Sequence, residues 1–73
     1  MCVGQKVKQY IDENGLTQTY LSYKTGISLP KLNLALNGNR KMTFDEYELI
    51  CGALNVNTDR FLTPKKPVSK TAT

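Results

Sequence analysis

Residues 17–36 read Thr-Gln-Thr-Tyr-Leu-Ser-Tyr-Lys-Thr-Gly-Ile-Ser-Leu-Pro-Lys-Leu-Asn-Leu-Ala-Leu, and the corner at Thr25-Gly26-Ile27-Ser28 decides how the chain folds. Thr17 is a good N-cap, so a helix is expected over residues 18–25, with Leu21 as its clearest core residue and Leu16 and Ile27 flanking. Gly26 stops that helix by tolerating positive φ, Ile27 plugs the corner, and Ser28 caps a further helix. Pro30 falls in the first turn of this next helix, where a missing N–H does no harm. The helix covers about 29–36, and Asn37-Gly38 terminates it. At about 100° per residue, Leu29, Leu32, Ala35 and Leu36 cluster within roughly 120° and form its core face.

Upstream of the corner, Val3, Val7, Tyr10 and Ile11 recur on one helical face until Asn14-Gly15 breaks the pattern. Downstream, Thr43 and Glu46 form a capping box for a fourth helix, whose inner stripe is read as Phe44, Tyr47, Ile50, Cys51 and Leu54. Leu49 lies off that stripe and is expected at the surface. Asn55 ends the helix, Val56 packs inward, and Thr58 starts a final short helical turn carrying Phe61 and Leu62. No segment alternates with the period of a strand. The expectation is therefore an all-α, compact five-helix domain over residues 1–62. Residues 63–73 hold two prolines, three lysines and one aliphatic side chain larger than alanine, which predicts a disordered basic tail.

The outward arc of the third helix carries Pro30, Lys31, Asn33, Leu34 and Asn37 and no acidic residue. A merely solubilising surface would carry charges of both signs. This mixture suits the edges of bases instead: lysine donates to guanine, asparagine pairs with adenine, and an exposed leucine or proline rests on a thymine methyl. Around it, Gln18 opens the second helix, where the N-terminal dipole favours anions. The loop at residues 37–41 supplies amides, Arg40 and Lys41 for a phosphate backbone. Charge is segregated along the chain within a total of +4. In residues 1–42, Lys6, Lys8, Lys24, Lys31, Arg40 and Lys41 face only Asp12 and Glu13, whereas residues 43–62 set Asp45, Glu46, Glu48 and Asp59 against Arg60. A basic first half beside an acidic fourth segment fits a surface that meets a polyanion.

The ordered series Gly15-Leu16-Thr17-Gln18, Leu21, Lys24-Thr25-Gly26-Ile27-Ser28, Leu32, Asn37-Gly38 and Ala53-Leu54-Asn55-Val56 resembles the phage Cro/C1-repressor-like helix-turn-helix family, also called the Xre family. The resemblance covers about residues 3–62. It implies a five-helix, lambda-repressor-like DNA-binding domain whose third helix enters the major groove, in dimers that read palindromic half-sites about one helical turn apart. By that resemblance Gln18 holds phosphate, Leu29, Pro30, Lys31, Asn33 and Leu34 lie at groove-facing positions, and Asn39, Arg40 and Lys41 grip the adjoining backbone; Ser28 and Asn37 are counted with them as DNA-binding residues. Dimer contacts in the family often come from the region after the fourth helix, here about 55–61. The chain departs from the family at Leu29, Pro30 and Leu34, positions usually polar or basic, and at Leu36, often a glutamate. Either the site is rich in thymine methyls or the helix has shifted toward contacting a protein.

Other function classes fit poorly. There is no histidine, and Cys2 and Cys51 lack metal-ligand spacing, so a structural zinc site fails on ligand count and no cofactor or metal is expected. Cys2 is placed on a loose terminus, Cys51 in the core, and a disulfide between them is disfavoured in the cytoplasm. With no catalytic set and no Gly-rich phosphate loop, an enzyme is not expected. The absence of a signal pattern and of any apolar run near about 18 residues predicts a soluble, cytoplasmic protein. The reading is a sequence-specific binder of double-stranded DNA, a small transcriptional regulator of repressor type, acting as a homodimer. The alternative is a protein-interaction module, an antitoxin or antirepressor, on the same fold.

Overall fold

The computed structural model describes residues 2–62, and in them four helices follow one another: α1 (Val3–Glu13), α2 (Gln18–Thr25), α3 (Leu29–Leu36) and α4 (Phe44–Leu54). Several starts and stops are chemically marked. Thr17 Oγ1 accepts from the Tyr20 amide at 3.0 Å to open α2. The Thr43–Glu46 box opens α4 with bonds of 3.0 and 3.1 Å. Gly38, at φ 81, lets the chain leave α3 through paired bonds from the Gly38 amide to the Ala35 carbonyl and from the Asn39 amide to the Leu34 carbonyl. Asn55 adopts the left-handed conformation that ends α4.

The helices enclose one core, in which Val7, Ile11, Leu21, Leu32, Leu36, Ile50 and Cys51 are almost completely withdrawn from water. The α3 helix packs on both α1 and α2, and α2 also packs on α4. The α1–α3 approach is unusually close at Gly4, where a Cβ would lie 2.0 Å from the Ala35 carbonyl oxygen. Among the described residues no helix is long and apolar enough to cross a membrane.

Several expectations need correction. The described residues hold four helices, not five: residues 58–61 form a turn, with bonds from Arg60 to Asn57 and from Leu62 to Asp59 only. A single turn of that length does not recover the cost of helix nucleation. It is held instead by Phe61, buried edge-on against Tyr10 with ring centroids 5.4 Å apart, and by the Tyr47 hydroxyl, which donates to the Thr58 carbonyl. Burial, together with the neighbouring Cys51, pushes the Tyr47 phenol up to about 12. Leu29, assigned to the core face by periodicity, is 42% exposed, and Phe44 is 66% exposed. Each is the first residue of its helix, at the rim of the domain. Leu62 is exposed, and Leu49 is exposed as expected. Cys2 is no loose end: it occupies the N-cap of α1, and its amide donates to Gln5 Oε1 at 3.2 Å. Both thiols are free. The disordered-tail expectation concerns residues 63–73, which lie outside the described residues.

Candidate nucleic-acid interface

The corner between α2 and α3 is fixed by hydroxyls as well as by shape. Gly26 takes φ 78, which a side chain would strain. Thr25 Oγ1 donates to the Leu21 carbonyl at 2.8 Å and accepts from the Ile27 amide at 3.2 Å. Ser22 Oγ donates to the Ile27 carbonyl. With Ile27 and Leu21 buried beneath, α2 and α3 are presented as one rigid unit.

On its outer side α3 exposes Leu29, Pro30, Lys31, Asn33, Leu34 and Asn37, while Leu32, Ala35 and Leu36 face the core. A chain of amides crosses this surface. Asn37 Nδ2 donates to Asn33 Oδ1, and Asn33 Nδ2 donates to Gln18 Oε1, both at 3.2 Å. Asn33 is thereby held in place from two helices. A shallow cleft lined by Gln18, Thr19, Leu29, Pro30 and Asn33 runs between α2 and α3.

Both helix N-termini open on this side. Thr17 caps the Tyr20 amide of α2, so the amides of Gln18 and Thr19 have no partner within their helix. Ser28 occupies the N-cap of α3 but, contrary to expectation, its hydroxyl makes no cap bond. That hydroxyl and the first amides of α3 remain open to an anion or a base edge. From Asn14 to Phe44 the chain contains no acidic residue, while Lys24, Lys31, Arg40 and Lys41 all fall in that interval.

The loop after α3 divides its cations. Lys41 and Asn39 are exposed. Arg40 is held in a forked pair with Glu46, 2.8 and 3.0 Å from its two carboxylate oxygens. The Arg40 guanidinium and the Thr43 amide hold the Glu46 carboxyl below its ordinary 4.5, at about 2. Arg40 therefore joins the loop to the first turn of α4, a role that sequence reasoning missed although Glu46 was already marked as a capping residue. Thr19 was missed as well; its place beside Gln18 in the first turn of α2 was the available signal. Lys24 lies over the Tyr20 ring, 5.9 Å from its centroid, and Tyr23 is 84% exposed. Among the described residues no three cysteine or carboxylate side chains gather as a metal site would require.

No curated protein and no solved structure matches the chain. A family model for the Cro/C1-type helix-turn-helix DNA-binding domain matches residues 6–66, a span that takes in α2, α3, α4 and most of α1. The hydroxyl-locked corner, the acid-free outer helix and this match agree, and the chain belongs to the Cro/C1-type helix-turn-helix DNA-binding domain family.

Proposed function

We propose that this domain binds a specific double-stranded DNA sequence as a small transcriptional regulator, a repressor of phage or mobile-element type acting in the cytoplasm. The observation that carries the reading is the outer face of α3, exposed, free of acidic residues and fixed against α2 by the Asn33–Gln18 bond. In this reading α3 lies in the major groove. Lys31 and Asn33 read base edges, with Leu29, Pro30 and Leu34 beside them. Gln18, Ser28 and the open amides of α2 contact phosphate, as do Asn37, Asn39 and Lys41. Arg40 supports the loop and adds its charge. Two copies occupy a palindromic operator, meeting through residues 55–61, of which Phe61 is turned into the domain's own core.

Selection of bound fragments from random duplex DNA at two salt concentrations tests binding, preference and half-site symmetry together. Lys31→Ala or Asn33→Ala is expected to relax preference, each costing about 1–3 kcal/mol at the selected site. Unchanged selection by both variants would refute the placement of α3.

A second reading, docking to a protein as an antitoxin or antirepressor does, draws on the exposed Leu29, Pro30 and Leu34. Salt separates the two: DNA affinity falls steeply as salt rises, whereas an apolar protein contact holds.

A further inference from the structure

We propose that α3 reads a half-site of closely spaced A·T pairs, packing Leu34, Pro30 and Leu29 on thymine C5-methyl groups while Asn33 pairs with an adenine edge; this rests on the DNA-binding reading above. At about 100° per residue, Asn33, Asn37, Pro30 and Leu34 share one arc of α3 about 100° wide, opposite the buried stripe. Leu34 is 46% exposed and Leu29 42%. Pro30 is exposed between them, so three apolar side chains are exposed on a helix whose one charged residue is Lys31. The thymine methyl is the apolar group that the base-pair edges present to a major-groove helix. Apolar positions on such a helix are therefore matched to thymine, and to neither base of a G·C pair.

The Asn33 amide points to the same base pair. One of its two Nδ2 hydrogens goes to Gln18, and one Oδ1 lone pair is taken by Asn37. One donor and one acceptor remain on the amide, the pair of groups that the N7 acceptor and N6 donor of adenine call for, whereas guanine offers two acceptors. Pro30 lies one helical turn before Leu34, about 6 Å along the axis, close to two base-pair steps of about 3.4 Å. The methyls read by the two residues consequently lie about two base-pair steps apart.

The test begins with the sequence selected from random duplexes by the full chain, then replaces each thymine by deoxyuridine, which removes the methyl and keeps every hydrogen-bonding group. Each contacted methyl is expected to be worth about fourfold in affinity, the ratio for burying one such carbon. Leu34→Ala should abolish the thymine–uracil difference at one position, and Pro30→Ala should abolish it at a nearby one. Both side chains are exposed, and circular dichroism checks that the variants keep their helices. Equal affinity for thymine and uracil duplexes, with sequence preference intact, would overturn the methyl contacts and leave DNA binding standing. Discrimination that survives Leu29→Ala, Pro30→Ala and Leu34→Ala alike would overturn them too, because it would come from duplex stiffness. Failure to select any sequence would overturn the underlying function itself.

Discussion

Two oxygens of Glu46 lie within 3.0 Å of the two terminal nitrogens of Arg40, while the Thr43 amide donates to one of the same oxygens. The carboxylate thus serves as helix cap and counter-ion at once, with its side chain only 17% exposed. Its folded-state pKa is depressed from 4.5 to about 2. The folded protein therefore holds the Glu46 proton less tightly than the unfolded chain does. The resulting stability is fully present above the unfolded value and is lost as pH falls through the folded one. Urea midpoints should accordingly decline between about pH 5 and pH 2, and Arg40→Ala should flatten that decline. An Arg40→Ala protein with the wild-type acid slope would show that the pair contributes nothing. Gly4 tests packing at the same scale. Alanine there gains about 1 kcal/mol of helix propensity. Its Cβ, however, would sit 2.0 Å from the Ala35 carbonyl oxygen, a backbone atom that cannot yield unless α1 moves off α3. Overpacking of this kind costs about 1–3 kcal/mol and occasionally more. We expect Gly4→Ala to lower the unfolding free energy by about 2 kcal/mol; a more stable variant would mean that the two helices part easily.

Elements whose ends are set by local chemistry were legible in the sequence. The bounds of α2 and α3, the box at Thr43 and the stop at Asn55 each follow from a cap or a positive-φ residue within a few positions. What was not legible depended on neighbours distant in sequence. Leu29 and Phe44 fit a core stripe by angle, but each is the first residue of its helix and stays exposed at the rim. Phe61 reads as part of a short helical turn started by Thr58, yet burial in the core, edge-on against Tyr10, is what holds it. In the candidate site, Lys31, Asn33 and Leu34 could be read outward from periodicity, whereas the tie from Asn33 to Gln18 joins residues fifteen positions apart and has no local signature. The α2–α3 corner gives this scale its prediction. Thr25→Val keeps the shape of the side chain and removes the hydroxyl that accepts from the part-buried Ile27 amide. An orphaned donor of that kind costs about 1–3 kcal/mol. Thr25→Val should be destabilised by about 1 kcal/mol or more, and Thr25→Ser should keep most of the stability. If chemical denaturation ranks Val above Ser, the hydroxyl is not what fixes the corner.

At the scale of the whole molecule, charge is sorted along the chain. The interval from Asn14 to Phe44, which contains α2 and α3, holds cations without acids, and α4 carries Asp45, Glu46 and Glu48. Such a distribution orients the molecule toward a polyanion before any contact forms, and it also sets how binding responds to salt. Each phosphate neutralised contributes about −0.9 to the slope of log affinity against log salt on duplex DNA. Lys41 is exposed, so its ammonium is available to a phosphate. The Arg40 guanidinium is already engaged by Glu46, and part of its field is cancelled there. Lys41→Ala should therefore make the salt slope shallower by about 0.9 and weaken all sequences by a similar factor. Arg40→Ala should also weaken all sequences alike, through loss of loop support, but should change the slope less. Fluorescence anisotropy on one selected and one scrambled duplex, across a salt series, separates these quantities. An Arg40→Ala slope change as large as that of Lys41→Ala would mean that Arg40 leaves Glu46 for phosphate in the complex, and the ion pair would then belong to the free protein alone.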